Sequence, residues 1–310
     1  MRLGKFLLTE RLGRGGMAEV WKARVDGPRG DERSLVIKRI LPERAADARF
    51  IEMFASEARV SALLNHANVV HVYELGCEGG EYFLAMEYVD GQNLAAALRA
   101  VRRANPPPVG FGAYVARELC RALGYAHRVA GDDGAPLGIV HRDVSPGNVM
   151  LGFDGGVKLV DFGIARLAAG HDVDLPARGK LGYASPEHLA GRPLDGRADL
   201  FSTGVLLWEM LAARRLFKGR SALDTIERVL RGAPAPPSLH NAEVPPELDR
   251  ICLRMLARDR ALRPATCDEA GDALDAVVQE LRWGAARLAE LMRELFPDAR
   301  TTGEQVTGNR

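Results

Sequence analysis

Two residues whose oxygen atoms suit a magnesium ion lie close together near the middle of the chain. Asn148 and Asp161 are 13 positions apart (161 − 148). Carboxylate and amide oxygens are hard ligands of the kind that Mg²⁺ takes, and nucleotide phosphates can complete its coordination shell. These residue types therefore fit chemistry on a Mg²⁺-bound phosphate compound. Asp161 begins an Asp-Phe-Gly segment, which in isolation occurs by chance in many proteins.

A glycine-rich segment near the start of the chain lies between two strand-like runs. It reads Gly13-Arg14-Gly15-Gly16-Met17-Ala18-Glu19-Val20. Glycines at such a turn let the backbone close over phosphate groups with its N–H groups directed at the oxygens. Many glycine turns between strands bind nothing, so this segment alone is weak evidence.

A lysine and a glutamate follow at a spacing that links a strand to a helix. Lys38 lies within the strand-like run at residues 34–41, and Glu57 lies 19 residues on (57 − 38) in a segment with helical periodicity. Considered singly, a solvated lysine and a surface glutamate would explain both residues better than a site does.

The order of these motifs resembles that of the protein-kinase family over about residues 6–281. The sharpest match is the segment 141–148, His-Arg-Asp-Val-Ser-Pro-Gly-Asn, which fits H-R-D-x-x-x-x-N. The resemblance implies that Asp143 accepts the proton of a substrate hydroxyl or orients it. It also implies that Asn148 and Asp161 bind Mg²⁺.

The same resemblance implies an ATP site. Lys38 would hold the α- and β-phosphates while paired with Glu57. Other residues at nucleotide-binding positions of the family are Leu12, Gly13, Arg14, Gly15, Gly16, Val20, Val36, Met86, Glu87, Val89 and Met150. For Val20, Val36 and Met150 an ordinary core role is equally compatible.

Residues of the family's structural frame are present as well. Glu187 in Ser185-Pro186-Glu187 and Arg263 would form a buried bidentate pair, and Asp199 would hold the backbone of the catalytic loop.

The sequence departs from the family pattern in the segment that precedes Ser185-Pro186-Glu187. Arg142 would normally meet a phosphate there, yet residues 162–182 contain no Ser, Thr or Tyr. Asp172 and Asp174 are the acidic residues of that segment, so we expect activity without its phosphorylation. The alternative is that both aspartates only solvate the loop. These variants resemble those of bacterial eukaryotic-like serine/threonine kinases, particularly myxobacterial ones.

A second departure exchanges two residue types. The family's lysine two positions after the catalytic aspartate is Ser145 here, and its threonine before the Ser-Pro-Glu segment is Lys180. We therefore hypothesise that Lys180 reaches Asp143 and the γ-phosphate from the opposite wall, with Ser145 bonding nearby. A Lys180 that points to solvent explains the sequence equally well.

Three functions are compatible with these residues. An active serine/threonine protein kinase explains all the motifs. A weakly active pseudokinase-like ATP-binding scaffold is the alternative that Ser145 and the missing phosphosite favour. Against it, five residues that such scaffolds commonly lose are all present: Lys38, Glu57, Asp143, Asn148 and Asp161. A kinase for small molecules is disfavoured by Arg142, the Ser-Pro-Glu segment and Arg263, which shape a groove for a polypeptide.

Composition indicates a globular protein without a nucleic-acid or membrane partner. The 310 residues are 47% hydrophobic, and 42 Lys and Arg balance 41 Asp and Glu to a net charge of +1. The sequence shows no signal peptide and no apolar run of roughly 18 residues that could span a membrane. Four cysteines without metal-ligand spacing favour a reducing compartment, the cytoplasm.

The coarse pattern of strands and helices agrees with the α+β, bilobal protein-kinase fold that the resemblance implies. We expect an antiparallel sheet with one helix in residues 1–86, a hinge at 87–91 and a mainly helical lobe at 92–281. A C-terminal helix and tail would follow at 282–310.

Overall fold

An antiparallel six-stranded sheet forms the first lobe. The computed structural model describes residues 1–16, 18–26, 32–44, 47–104, 107–131, 133–162 and 179–300. The strand order in the sheet is β1-β2-β3-β4-β6-β5. The strands are β1 (Arg2–Leu3), β2 (Phe6–Arg14), β3 (Ala18–Asp26), β4 (Glu32–Ile40), β5 (Val72–Glu78) and β6 (Glu81–Glu87).

Both faces of this sheet carry apolar clusters, which explains the run of three apolar residues in β4, Leu35–Ile37. Successive side chains of a strand point to opposite faces. Leu35 and Ile37 pack into one apolar cluster, whereas Val36 packs into another on the opposite face. The second cluster includes Phe54 and Ala58 of helix α1 (Ala48–Ala62), which lies against this face.

The second lobe is mainly helical and has one large apolar core. A three-stranded sheet joins β7 (Gly91–Asn93), β8 (Val149–Gly152) and β9 (Val157–Leu159). The helices are α2 (Leu94–Ala104), α3 (Val109–Arg128), α4 (Pro186–Leu189), α5 (Arg197–Ala212), α6 (Ala222–Arg231), α7 (Pro246–Met255), α8 (Cys267–Glu280) and α9 (Ala285–Leu295). Nearly every residue of α5 is buried, so this helix lies in the middle of the lobe.

The architecture confirms the α+β fold with two lobes. The predicted hinge at 87–91 overlaps the end of β6 and the start of β7. Helix α9 buries Leu288 and Met292 in the core of the second lobe, as its apolar periodicity predicts. Across the described ranges, no helix combines the length and apolar character needed to span a membrane.

A buried ion pair joins helix α4 to the segment that precedes α8. Arg263 donates to both carboxylate oxygens of Glu187, over 2.6 and 2.9 Å, and its side chain is fully buried. The guanidinium also donates to the backbone carbonyl oxygens of Ala257, Arg197 and Arg258. Every donor direction of the arginine is thereby used, which is the condition for a buried charge to be tolerated.

Replacing Arg263 with methionine is therefore expected to lower the free energy of unfolding by about 3–5 kcal/mol, because Glu187 would remain buried without its partner. Urea denaturation measures this loss. The matched control is Arg250→Met, which breaks a surface pair with Glu247 and should change stability by at most about 1 kcal/mol. Adding Glu187→Leu to Arg263→Met should recover part of the loss. A loss below about 1 kcal/mol in Arg263→Met would contradict the structural role of the pair.

Candidate active site

A lysine between two carboxylates connects the sheet lobe to the helical lobe. Lys38 on β4 donates to Glu57 of α1 over 2.6 Å and to Asp161, just after β9, over 3.0 Å. These contacts span 19 and 123 positions of the sequence. The structure thus brings together three residues that the motifs singled out separately.

Lys38 and Asp161 stabilise each other's charged form, whereas burial raises the pKa of Glu57. Burial alone would lower the pKa of Lys38, but the carboxylates of Asp161 and Glu57 outweigh burial and raise it well above its ordinary value. Burial would likewise raise the pKa of Asp161, but the charge of Lys38 and its hydrogen bond lower it overall. Lys38 and Asp161 are accordingly a charged pair at neutral pH.

A buried aspartate at the start of α5 holds the backbone of the loop that contains the His-Arg-Asp segment. Asp199 accepts hydrogen bonds from the backbone N–H groups of His141 and Arg142, both over 2.8 Å. His127 of α3 contacts the same carboxylate at 2.9 Å. Arg142 has a φ of 66°, in the left-handed region, so this anchoring maintains a backbone conformation that is unfavourable for a non-glycine residue.

His141 links the backbone of Asp143 to that of Val160, which precedes Asp161. Nδ1 of His141 accepts from the backbone N–H of Asp143, and Nε2 lies 3.1 Å from the carbonyl oxygen of Val160. A neutral ring protonated on Nε2 satisfies both contacts. Burial lowers the pKa of His141, which favours that neutral form.

The two oxygens of the Asp143 carboxylate have different surroundings. Oδ2 accepts from the side-chain amide of Asn148 over 2.9 Å and from the ammonium of Lys180 over 2.5 Å. In the described part of the chain no donor reaches Oδ1. One oxygen is therefore fixed by the protein, and the other is open to a substrate group.

Ser145 does not make the bond that was expected of it. Its side chain is buried, with 1% of the residue exposed, and its Oγ has no hydrogen-bond partner among the described residues. Lys180 contacts Asp143 without the help of this hydroxyl. Ser145 therefore contributes a small buried side chain and no hydrogen bond to the site.

The residues predicted to contact adenine mostly share one apolar cluster. Val36 and Met86 are buried in it, and Val20 and Val89 pack against it. Met150 lies apart on β8, paired with Asn93 and Lys158 of the neighbouring strands.

The glycine-rich segment forms the turn between β2 and β3. Leu12, Gly13 and Arg14 belong to β2, and Gly15 and Gly16 follow it. The backbone N–H of Gly15 donates to the carbonyl oxygen of Ala18 over 2.8 Å, which tightens the turn. The guanidinium of Arg14 pairs with Glu43 rather than extending into open space.

Two lysines that belong to none of the sequence motifs contact residues of the hinge. Lys158 of β9 donates to Glu87 over 2.9 Å, and the backbone N–H of His71 donates to the same carboxylate. Lys22 of β3 contacts the ring and hydroxyl of Tyr88, the next hinge residue. Lys158 and Glu87 are 71 positions apart, and Lys22 and Tyr88 are 66 positions apart, so no local sequence pattern predicts these contacts.

Some predicted features lie outside the described residues. Gly163 of the Asp-Phe-Gly segment and both Asp172 and Asp174 fall within the gap from 163 to 178. The proposed role of the two aspartates stays a prediction.

The donor set suits a metal ion that is bound together with a nucleotide. Asp161 offers a carboxylate whose side chain is 40% exposed, and Asn148 offers an amide oxygen. Within the described ranges, no three His, Cys, Asp or Glu residues form a metal-binding group. Two protein ligands leave most of the shell of a Mg²⁺ ion to phosphate oxygens and water, which is how Mg²⁺ is usually held in nucleotide sites.

Comparisons with known proteins agree with this geometry. The tyrosine-protein kinase MasK of Myxococcus xanthus is 37% identical over 305 residues, which cover 96% of this chain and 47% of that protein. The probable serine/threonine-protein kinase SCO3848 of Streptomyces coelicolor is 37% identical over 274 residues, which cover 86% of this chain and 39% of that one. The chain thus spans less than half the length of these curated relatives.

A solved structure matches the fold across both lobes. The kinase domain of PknI from Mycobacterium tuberculosis superposes with a TM-score of 0.65 and 28% identity, covering 89% of this chain and 97% of that one. The family model described as the protein kinase domain matches residues 6–274. The chain belongs to the protein kinase family, and its relatives named here are bacterial.

Proposed function

We propose that this chain transfers the γ-phosphoryl group of ATP to serine or threonine hydroxyls of a protein substrate. The observation that carries the proposal is the surroundings of Asp143, which has one oxygen fixed by Asn148 and Lys180 and the other open. The triad of Lys38, Glu57 and Asp161 supports the same function, because scaffolds without activity commonly lack one of these residues.

The adenine ring of ATP fits the apolar cluster below the sheet. Val20, Val36, Met86 and Val89 present apolar side chains to one another there. The backbone of Glu87 and Val89 would form hydrogen bonds at the ring edge, and the glycine-rich turn after β2 would close over the phosphates. Leu12, Arg14 and Met150 are proposed to flank the nucleotide.

Lys38 would bind phosphate oxygens of ATP while Glu57 holds its ammonium in place. The raised pKa of Lys38 keeps it charged at all physiological pH values. Asn148 and Asp161 would hold Mg²⁺, which when bound would neutralise charge on the β- and γ-phosphates.

Asp143 would accept the hydroxyl proton of the substrate through Oδ1. Asn148 and Lys180 fix the carboxylate through Oδ2, so the open oxygen is presented in one orientation. Arg142 contributes by its backbone, which Asp199 holds in the left-handed conformation that places Asp143.

The acceptor class needs a direct test, because the relatives differ in name. MasK is named a tyrosine-protein kinase, whereas SCO3848 is named a probable serine/threonine-protein kinase. Pro146, which follows Ser145, matches the serine/threonine pattern. Four free cysteines and balanced charge support our proposal that the domain works in the cytoplasm.

Asp143→Asn is expected to lower the turnover of phosphoryl transfer by about 10²–10⁴-fold, because the amide oxygen is a poor proton acceptor. The experiment incubates the chain with labelled Mg²⁺-ATP and a generic basic protein, followed by phosphoamino-acid analysis. ATP affinity should change little, since Asp143 does not contact the adenine cluster. Near wild-type turnover in Asp143→Asn, or label on tyrosine alone, would contradict the proposal.

A further inference from the structure

A large pocket lies in the second lobe between the end of α5 and helix α6. It has a volume of about 620 Å³. Trp208, Leu216 and Phe217 provide apolar wall, and Trp208 is fixed by donating to the carbonyl oxygen of Ala235. A concave surface that combines apolar side chains with a few polar groups is typical of a ligand-binding site.

The charged side chains of this pocket are all of one sign. Arg214, Arg215, Lys218 and Arg228 line it, and within the described residues no aspartate or glutamate does. We call these four residues and the space between them the cationic pocket.

Two of the four cations have carboxylate partners behind the wall. Arg215 pairs with the buried Glu209 at 2.9 Å, and Arg228 pairs with Asp224 of its own helix at 3.0 Å. Arg214 and Lys218 have no ion-pair partner in the described part of the chain, and Arg214 is 3.4 Å from the ring nitrogen of His240. The cationic pocket therefore has an excess of two positive charges, both on exposed side chains.

A short chain of contacts connects the cationic pocket to Asp143. Lys180, which contacts Asp143, directly precedes the turn Leu181–Tyr183. The guanidinium of Arg215 lies 4.9 Å from the ring centre of Tyr183.

Gly182 makes the approach of the turn to the pocket wall especially close. A Cβ atom on Gly182 would be 2.7 Å from the carbonyl oxygen of Phe217, so only glycine fits there without a shift. The turn therefore joins the catalytic carboxylate directly to the wall of the cationic pocket.

We propose that the cationic pocket binds an anionic segment of the protein substrate, made of glutamate, aspartate or phosphorylated side chains. The inference rests on the proposed function, because it uses Asp143 as the position of the accepting hydroxyl. Consecutive Cα atoms are about 3.8 Å apart, so the two steps from Lys180 to Gly182 cover at most roughly 8 Å. An extended substrate advances about 3.4 Å per residue, which puts its anionic side chains roughly two to five residues from the acceptor.

The test uses a neutral peptide with one serine and a series in which a glutamate pair is stepped from five residues before the serine to five after it. A contiguous set of positions on one side should raise kcat/KM about 5–20-fold, mainly through KM, as expected for a few partly exposed ion pairs. A parallel series with phosphothreonine distinguishes carboxylate from phosphate as the preferred anion. Raising the salt to 1 M should reduce the effect, because charges are then screened within about 3 Å.

The double variant Arg214→Glu/Lys218→Glu should abolish the preference for the acidic peptide. The matched control is Arg293→Glu, on an exposed position of α9, which should retain it. Urea denaturation of the double variant verifies that it is folded. Equal kcat/KM for neutral and acidic peptides in the wild-type chain, or an unchanged preference in the double variant, would overturn the inference.

Peptide binding separates this inference from the proposed function. Fluorescence anisotropy with the acidic peptide and Asp143→Asn protein should show binding that Arg214→Glu/Lys218→Glu weakens about 5–20-fold. Binding of this kind without phosphorylation of any peptide by the wild-type chain would contradict the proposed function alone. Phosphorylation of the neutral peptide without binding to the pocket would contradict the inference alone.

Discussion

Replacing Asp161 with alanine is expected to reduce phosphoryl transfer at least about 10³-fold, because a metal ion that neutralises transferring phosphates supplies several kcal/mol of transition-state stabilisation. Asp161 offers the most suitable metal-binding group in the site, because its side chain is 40% exposed and Lys38 keeps its carboxylate ionised. The loss should appear in kcat at saturating ATP, and raising the Mg²⁺ concentration should not restore it. Steady-state kinetics over a range of Mg²⁺ concentrations measures both effects.

Two further variants make this result specific. Asp154→Ala removes an exposed aspartate of the turn between β8 and β9, where it accepts from the backbone of Gly156, and should leave turnover unchanged. Asp161→Asn keeps the size of the side chain but removes its charge, so it should lose nearly as much activity as alanine. Lys38 retains its pair with Glu57 in both Asp161 variants, which should preserve the fold. More than a tenth of wild-type turnover in Asp161→Ala would exclude it as the main metal ligand.

Motif order predicted the fold and which residues meet at the candidate site, because kinase motifs combine short local patterns with a fixed sequence of strands and helices. Lys38 lies in strand β4 and Glu57 lies on the following helix, and these local elements could be read from periodicity. Their meeting with Asp161, 123 positions from Lys38, follows from the family resemblance and not from any local pattern. The structure supplies the distances that the resemblance leaves open.

Contacts between distant elements could not be predicted in this way. Lys158 with Glu87, and the cations of the cationic pocket, depend on how helices and strands pack, and helical or strand periodicity does not encode that packing. The prediction for Ser145 failed in a different way. Its hydroxyl was expected to form a hydrogen bond beside the site, but it is buried without a partner among the described residues. A sequence pattern gives the residue type at a position but not the direction of its side chain.

The exchange of residue types at positions 145 and 180 leads to the second large expected effect. Lys180 is 37 positions from Asp143, yet its ammonium lies 2.5 Å from Oδ2. An ammonium at this point can stabilise the negative charge on Asp143 and on a nearby phosphoryl group, which are the two tasks of the lysine that Ser145 replaces. We propose that Lys180 performs them from the opposite wall of the site.

Lys180→Ala is accordingly expected to lower kcat by about 10²–10³-fold, equivalent to roughly 2.7–4 kcal/mol, as found when one group facing developing charge is removed. The loss should appear in kcat more than in KM for ATP, because the interaction strengthens in the transition state. The matched control is Lys5→Ala, which removes a surface lysine paired with Glu74 and should have no effect.

Restoring the usual arrangement provides the more demanding test. Ser145→Lys alone should not raise activity, because two ammonium groups would then crowd one carboxylate. The combined variant Ser145→Lys/Lys180→Thr returns a lysine and a threonine to the positions they have in most of the family. It should therefore recover part of the turnover that Lys180→Ala loses. Normal kcat in Lys180→Ala, or a structure with bound nucleotide in which the Lys180 ammonium is far from Asp143, would show that this lysine only lies beside the site.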